Sequence, residues 1–199
     1  MKTRRIARVL AFPLLLAAPT LSEAGSPLIC FAFQTGSAEV LPWAKGSGWK
    51  TPDPNYDVGK LTTDMLRLLS PDAPVLARME NMRRAAIYAS GTPGLAEELL
   101  STLLARTESP APDALALFDA GYFIETLRNG SHMRMHAAPG RNGYALVARA
   151  ISLAGAAPEM EFAASLMTSG SRAGDHRRRA EAGARGNRLL AQTMSGFGV

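Results

Sequence analysis

Apolar residues recur at the spacing of an α-helix through most of the chain after residue 57. Leu61, Met65 and Leu68 follow the i, i+4, i+7 pattern, and Asp57 is a suitable N-cap for that helix. Similar stripes predict helices over residues 57–69, 75–87, 95–104, 113–129, 144–154 and 158–167. No alternating strand pattern appears after residue 57. The sequence therefore predicts an all-α single domain of about six helices, built largely from antiparallel helix hairpins.

The fourth predicted helix, residues 113–129, is apolar on more than one face, so we expect neighbours on several sides.

Two helix junctions have similar sequences, in which a glycine that can end one helix is followed by a proline that can begin the next. Gly91-Thr92-Pro93 predicts a left-handed glycine, a threonine cap and a first-turn proline, and Gly155-Ala156-Ala157-Pro158 follows 64 residues later. Such intervals are typical of two-helix repeats, and Tyr88, Gly91 and Ala96 resemble the tetratricopeptide pattern, with one residue missing. A helical bundle and a short tetratricopeptide-like array both remain open.

Residues 1–24 have the features of a cleaved export signal. Four basic residues precede an apolar stretch over residues 9–21, and Ser22-Glu23-Ala24 suits a signal peptidase. We expect a periplasmic or extracellular protein, exported by the general or the twin-arginine route.

Residues 25–56 form an irregular lead-in, since glycine and proline interrupt any periodicity. Trp43 and Trp49 within it are expected to pin this loop onto the core.

The net charge of +5 falls to +2 without residues 1–24, because 18 lysines and arginines then face 16 acidic residues. This balance does not indicate nucleic-acid binding. The single cysteine, Cys30, excludes an intramolecular disulfide, and the isoleucine before it does not fit a lipid-attachment site. We expect Cys30 to be a buried thiol.

Positive charge is concentrated in residues 169–199, which we interpret as a basic C-terminal tail. Two acidic residues, Asp175 and Glu181, lie among six arginines there. The default expectation is a solvated, partly helical tail. The alternative is docking on an anionic membrane surface. The candidate docking residues are Arg172, Arg177, Arg178, Arg179, Arg185 and Arg188.

One short segment has the residue types of a copper site. Its candidate ligands are His132, Met133, Met135 and His136, since imidazole and thioether groups suit copper ions. Arg134 opposes this interpretation because it would place a cation beside the metal. The segment lies between Gly130 and Pro139, so the default expectation is a polar loop.

Known catalytic signatures are absent from the sequence, and we nominate no catalytic residue and no cofactor. Asp113, Asp119 and Glu125 are spaced by six, which turns successive carboxylates to opposite sides of a helix. We expect no reactive cluster to form among the helices. The leading hypothesis is an exported module that binds a protein or peptide through a helical surface.

Overall fold

The computed structural model describes residues 27–44, 46, 51–92, 94–111, 113–130 and 140–197. Within these ranges the chain forms nine α-helices and no β-strand, which confirms the all-α prediction. The helices are α1 (Pro27–Cys30), α2 (Leu61–Leu68), α3 (Val75–Ala89), α4 (Leu95–Ala105), α5 (Ala114–Asn129), α6 (Gly143–Ala154), α7 (Pro158–Met167), α8 (Gly170–Ala184) and α9 (Arg188–Gly196). The six predicted stretches correspond to α2–α7. Helices α1, α8 and α9 are additional.

Polar side chains cap several helix starts. Asp57 accepts a hydrogen bond from the Gly59 amide at 3.1 Å and begins the 3₁₀ turn Val58–Lys60 that leads into α2. Asn142 caps α6 by accepting a hydrogen bond from the Ala145 amide at 3.0 Å. These side chains satisfy amides that have no partner within the helix, so each cap fixes where its helix begins.

The two junctions with similar sequences differ in structure. Gly155 ends α6 with a φ of 73°, and Pro158 begins α7, as the sequence predicts. Between α3 and α4, however, the left-handed residue is Gly94, whose φ is 85°, and the prediction for Gly91 is wrong. Gly94 is the N-cap of α4 and has no side-chain strain in that conformation. The two junctions therefore have different backbone conformations, although their sequences are similar.

Helix α5 is the centre of the domain. It packs against α1, α3, α4, α6 and α7, and residues 116–127 are all buried. This confirms the expectation of neighbours on several sides. Its closest approach is to α6, where a Cβ atom on Gly121 would lie 2.6 Å from the carbonyl oxygen of Gly143. Two glycines thus allow the backbones of α5 and α6 to come together.

The basic segment is more ordered than a solvated tail. Helix α8 packs extensively on α7 and buries His176 and Ala180, whereas α9 buries Leu190 and Met194. Gly183 lies directly against the Pro158 ring, with no space for a larger side chain. Small residues on α8 therefore replace the large apolar stripe that marks the other helices.

The lead-in is irregular from residue 34 to residue 56 in its described part, and polar side chains of α3 hold its backbone. The Phe33 amide donates to Glu80 at 3.1 Å, and the Leu41 amide donates to Asn81 at 2.8 Å. An irregular segment without ladder partners needs such acceptors when it is buried. The lead-in consequently covers the polar face of α3. As a result, 12 of the 15 residues of α3 are buried.

Trp43 contributes to this attachment, as predicted. Its ring lies edge-on to Tyr88, with 5.8 Å between ring centroids, and the Arg83 guanidinium lies 5.1 Å from its ring centroid. Trp49 lies outside the described residues. Cys30, expected to be a buried thiol, is only half-buried at the end of α1.

Candidate functional site

The structure describes the predicted basic residues but not the predicted metal ligands. His132, Met133, Met135 and His136 all lie outside the described residues. Within the described ranges, no group of three or more His, Cys, Asp or Glu residues could hold a metal ion.

The six candidate arginines lie on α8, at its C-terminus and at the start of α9. Arg178 pairs with Asp175, and Arg179 donates to Glu161 at 2.7 Å. Arg185 and Arg188 are exposed, and neither forms a salt bridge with a described carboxylate. Arg172 is exposed, whereas Arg177 is half-buried. Only Arg178 and Arg179 of this set therefore form salt bridges with described carboxylates.

A groove of about 390 Å³ lies where the lead-in meets the C-terminal end of α3. One wall is the turn before α2, and the other is the end of α3 with the residues that follow it. Tyr56 and Tyr88 are the aromatic lining residues, and their ring centroids lie 4.7 Å apart at an interplanar angle of 51°. The other lining residues are Pro52, Asp53, Pro54, Val58, Ile87, Ser90, Gly91 and Thr92.

Hydrogen bonds fix the aromatic side chains of this groove. The Tyr88 hydroxyl donates to the Pro42 carbonyl at 2.7 Å and accepts from the Asp53 amide at 3.0 Å. The Tyr56 hydroxyl donates to Asp64 at 2.9 Å. Burial raises the pKa of both tyrosines, and the Asp64 carboxylate raises that of Tyr56 further. Hydrogen bonds therefore hold both tyrosine side chains in place.

A second arrangement joins three helices through titratable side chains. The Tyr144 hydroxyl of α6 lies 2.9 Å from Nε2 of His176 on α8. Nδ1 of the same imidazole contacts the Glu161 carboxylate of α7. Arg179 Nε donates to the other oxygen of Glu161 at 2.7 Å, and its Nη2 lies 2.8 Å from His176 Nδ1. His176 and Glu161 are buried, whereas Tyr144 is half-buried.

The contacts are compatible with two imidazole tautomers, because Nδ1 of His176 has two close neighbours. A proton on Nδ1 donates to Glu161, whereas Arg179 Nη2 can only donate and needs an unprotonated Nδ1. In the neutral imidazole with its proton on Nδ1, Nε2 is the acceptor, and the Tyr144 hydroxyl donates to it. The order of groups is hydroxyl, imidazole and carboxylate.

The prediction of no reactive cluster missed this arrangement. Its members are 15 and 32 residues apart along the chain, and no motif connects them. Asp119 and Glu125 do diverge, as their spacing predicts. Asp119 binds Arg78 at 2.7 Å, whereas Glu125 accepts from the Gly143 amide at 2.9 Å.

Comparisons with known proteins add no family to these observations. No protein-family model matches the chain, and no curated protein or solved structure matches it significantly. The helices in the described ranges include none with the length and apolar character needed to cross a bilayer. The fold and the sites define the class only as an all-α domain with a groove that is lined in part by aromatic residues.

Proposed function

We propose that the chain is an exported peptide-binding module, and that its ligand is an extended, proline-containing basic peptide bound in the groove between the lead-in and α3. The observation that carries this proposal is the half-buried Tyr56 ring, which packs against the buried Tyr88 ring and lies beside Pro52 and Pro54. Aromatic-lined grooves recognise proline-rich segments because such peptides are already extended and lose little entropy on binding.

Charge supports a basic ligand. Residues 51–64, which form one wall of the groove and begin α2, contain three aspartates and one lysine. Asp53 lines the groove itself, whereas its amide is held by Tyr88. A lysine or arginine next to a proline would therefore meet a carboxylate while the proline ring packs on tyrosine.

Fluorescence titration tests this proposal, because Trp43 contacts Tyr88. In a Trp49→Phe background, Trp43 is the only tryptophan of the chain. The probe is a synthetic decapeptide with two prolines in a Pro-x-x-Pro arrangement and one terminal arginine. Its controls replace both prolines with alanine or the arginine with aspartate. We expect a saturable change in Trp43 emission with the first peptide and at least about tenfold weaker binding with each control.

Two variants locate the binding site. Ile87→Arg introduces bulk and positive charge at the half-buried wall, and Asp53→Lys reverses the charge. Both should weaken binding of the basic peptide by about tenfold or more. The matched control is Leu153→Arg on α6, where the native leucine is 56% exposed and is not a lining residue of the groove. Equal binding by all three variants, or no binding of the decapeptide by the parent chain, contradicts the proposal.

A second candidate function is docking on anionic lipid surfaces through α8 and α9. Its support is the exposure of Arg185 and Arg188, which have no salt bridge to a described carboxylate. Residues 172–188 contain six arginines and two acidic residues. Guanidinium groups that are not neutralised within the protein remain available for lipid phosphates.

A further inference from the structure

We propose that Tyr144, His176 and Glu161 form a nucleophile, base and carboxylate triad that cleaves phosphoesters, with Arg172 and Arg179 as ligands of the phosphoryl oxygens. This activity is independent of peptide binding in the groove.

The geometry satisfies the requirements for an activated hydroxyl. A nucleophile is activated when its base lies within about 2.6–3.2 Å and a third group orients that base. Tyr144 Oη lies 2.9 Å from His176 Nε2, and Glu161 holds Nδ1 from the opposite side. The rings of Tyr144 and His176 meet edge-on, with centroids 5.7 Å apart. In the tautomer with the proton on Nδ1, Nε2 is therefore placed to take the proton of the Tyr144 hydroxyl.

Packing keeps this geometry in place. Each member comes from a different helix, and α7 with α8 forms one of the most extensive contacts of the fold. His176 is 6% exposed, so its ring is fixed by surrounding atoms. Glu125 accepts a hydrogen bond from the Tyr144 amide at 3.2 Å and ties the start of α6 to α5. These contacts keep the Tyr144 hydroxyl and the His176 imidazole aligned, which mobile side chains would not be.

Two arginines determine the class of substrate. The Arg172 guanidinium lies 5.4 Å from the centroid of the Tyr144 ring, where it also stabilises a developing phenolate. Arg179 contacts Glu161 and His176, yet its side chain is 52% exposed. A guanidinium carries five N–H donors, so contacts to these neighbours leave others for an anion. Arginine forks match the oxygens of a phosphoryl group better than a neutral ester.

The reaction balances with water as the only further reactant. The Tyr144 oxygen forms a bond to phosphorus as the bond from phosphorus to the alcohol oxygen breaks. The phenolic proton passes to His176 Nε2 and then to the departing alkoxide, which leaves as an alcohol. Water next attacks the phosphotyrosine, giving one proton to His176, and this proton returns to the phenolate as phosphate leaves.

The test uses p-nitrophenyl phosphate and bis(p-nitrophenyl) phosphate with the mature chain. We expect release of p-nitrophenol and, after acid quenching, a phosphorylated peptide containing Tyr144 by mass spectrometry. Tyr144→Phe keeps the aromatic ring and should reduce release by about 100-fold or more. Arg172→Ala should mainly raise KM. The matched control is Tyr122→Phe, which removes the hydroxyl of a buried tyrosine on α5 that belongs neither to the triad nor to the groove lining.

The alternative is a purely structural link among α6, α7 and α8. In that case Tyr144→Phe lowers only the free energy of unfolding, and neither release above the buffer rate nor an adduct is seen. That result overturns the proposal. Release that is equal in Tyr144→Phe and the parent chain also overturns it, as does cleavage of p-nitrophenyl acetate without cleavage of either phosphoester.

Discussion

Removal of the Asp119 carboxylate tests whether the buried ionic contact between α3 and α5 is needed for folding. Arg78 and Asp119 have side chains that are 0% exposed, and their closest atoms, Nη1 and Oδ2, are 2.7 Å apart. Arg106 lies 3.0 Å from the same carboxylate oxygen and is 30% exposed. Asp119→Ala would therefore leave one guanidinium buried without its counter-ion.

The expected loss follows from what remains around Arg78. Its Nε still donates to the Ala73 carbonyl at 3.0 Å, and Nη2 still donates to the Ser70 carbonyl. These dipoles offset only part of a full charge, and breaking a buried pair by removing one partner costs about 3–5 kcal/mol. We expect a loss of about 3 kcal/mol for Asp119→Ala. The paired change Arg78→Met with Asp119→Leu should recover most of this loss, because neither charge is then buried.

Urea unfolding at pH 7, followed by circular dichroism, measures these differences. The matched control is Glu39→Ala, which breaks the surface pair with Arg67 at 2.6 Å. Both of those side chains are more than half exposed, so we expect no measurable change. If Asp119→Ala is as stable as the control, or if the paired variant is less stable than Asp119→Ala, the reasoning about the buried charge is wrong.

Three further predictions concern pH, packing and lipid binding. Burial raises the pKa of Asp119 to about 6, so the folded state retains a proton that the unfolded state loses near pH 4. Relative to Asp119→Asn, the free energy of unfolding should fall as the pH rises from about 4 to about 6, as measured by urea titrations. Gly121→Ala should destabilise the α5–α6 contact by about 1–3 kcal/mol in the same assay, since its Cβ meets a carbonyl oxygen at 2.6 Å. Arg185→Glu with Arg188→Glu should weaken co-sedimentation with phosphatidylglycerol vesicles about tenfold at low salt, whereas the exposed Arg149→Glu on α6 should not.

The sequence predicts α2–α7 closely because the signals are local. Apolar spacing follows the helical period, and Asp57 supplies a local signal for the start of the first of these helices. The left-handed glycine between α3 and α4 is Gly94 and not Gly91, because both glycines lie in that junction and the local pattern does not distinguish them. Glycine and proline in a sequence therefore predict that a turn is present more reliably than they predict its backbone conformation.

The polar face of α3 shows what periodicity cannot predict. Its arginines separate apolar positions, which is typical of a solvated face, yet Arg78 and Arg83 are buried. Glu80 accepts from Arg83 and Arg84 and from the Phe33 amide. The lead-in that covers this face has no period of its own, so its position depends on contacts at sequence distances near 40.

The candidate triad was missed for a related reason. Helix α8 is rich in glycine and alanine, which suggests a solvated segment. A usable signal was present in the small residues that share a face with His176, such as Ala180 and Gly183, because they allow close packing on α7. The partner of His176 could not be read from the sequence, since Glu161 belongs to another helix.

The most direct test of the proposed function is a nuclear magnetic resonance titration of the ¹⁵N-labelled mature chain with the basic Pro-x-x-Pro decapeptide. If the groove binds this peptide, the largest amide shifts will fall in residues 53–58 and 87–92, which include most of the lining residues. Shifts concentrated on α8 and α9, or none at saturating peptide, would contradict the account.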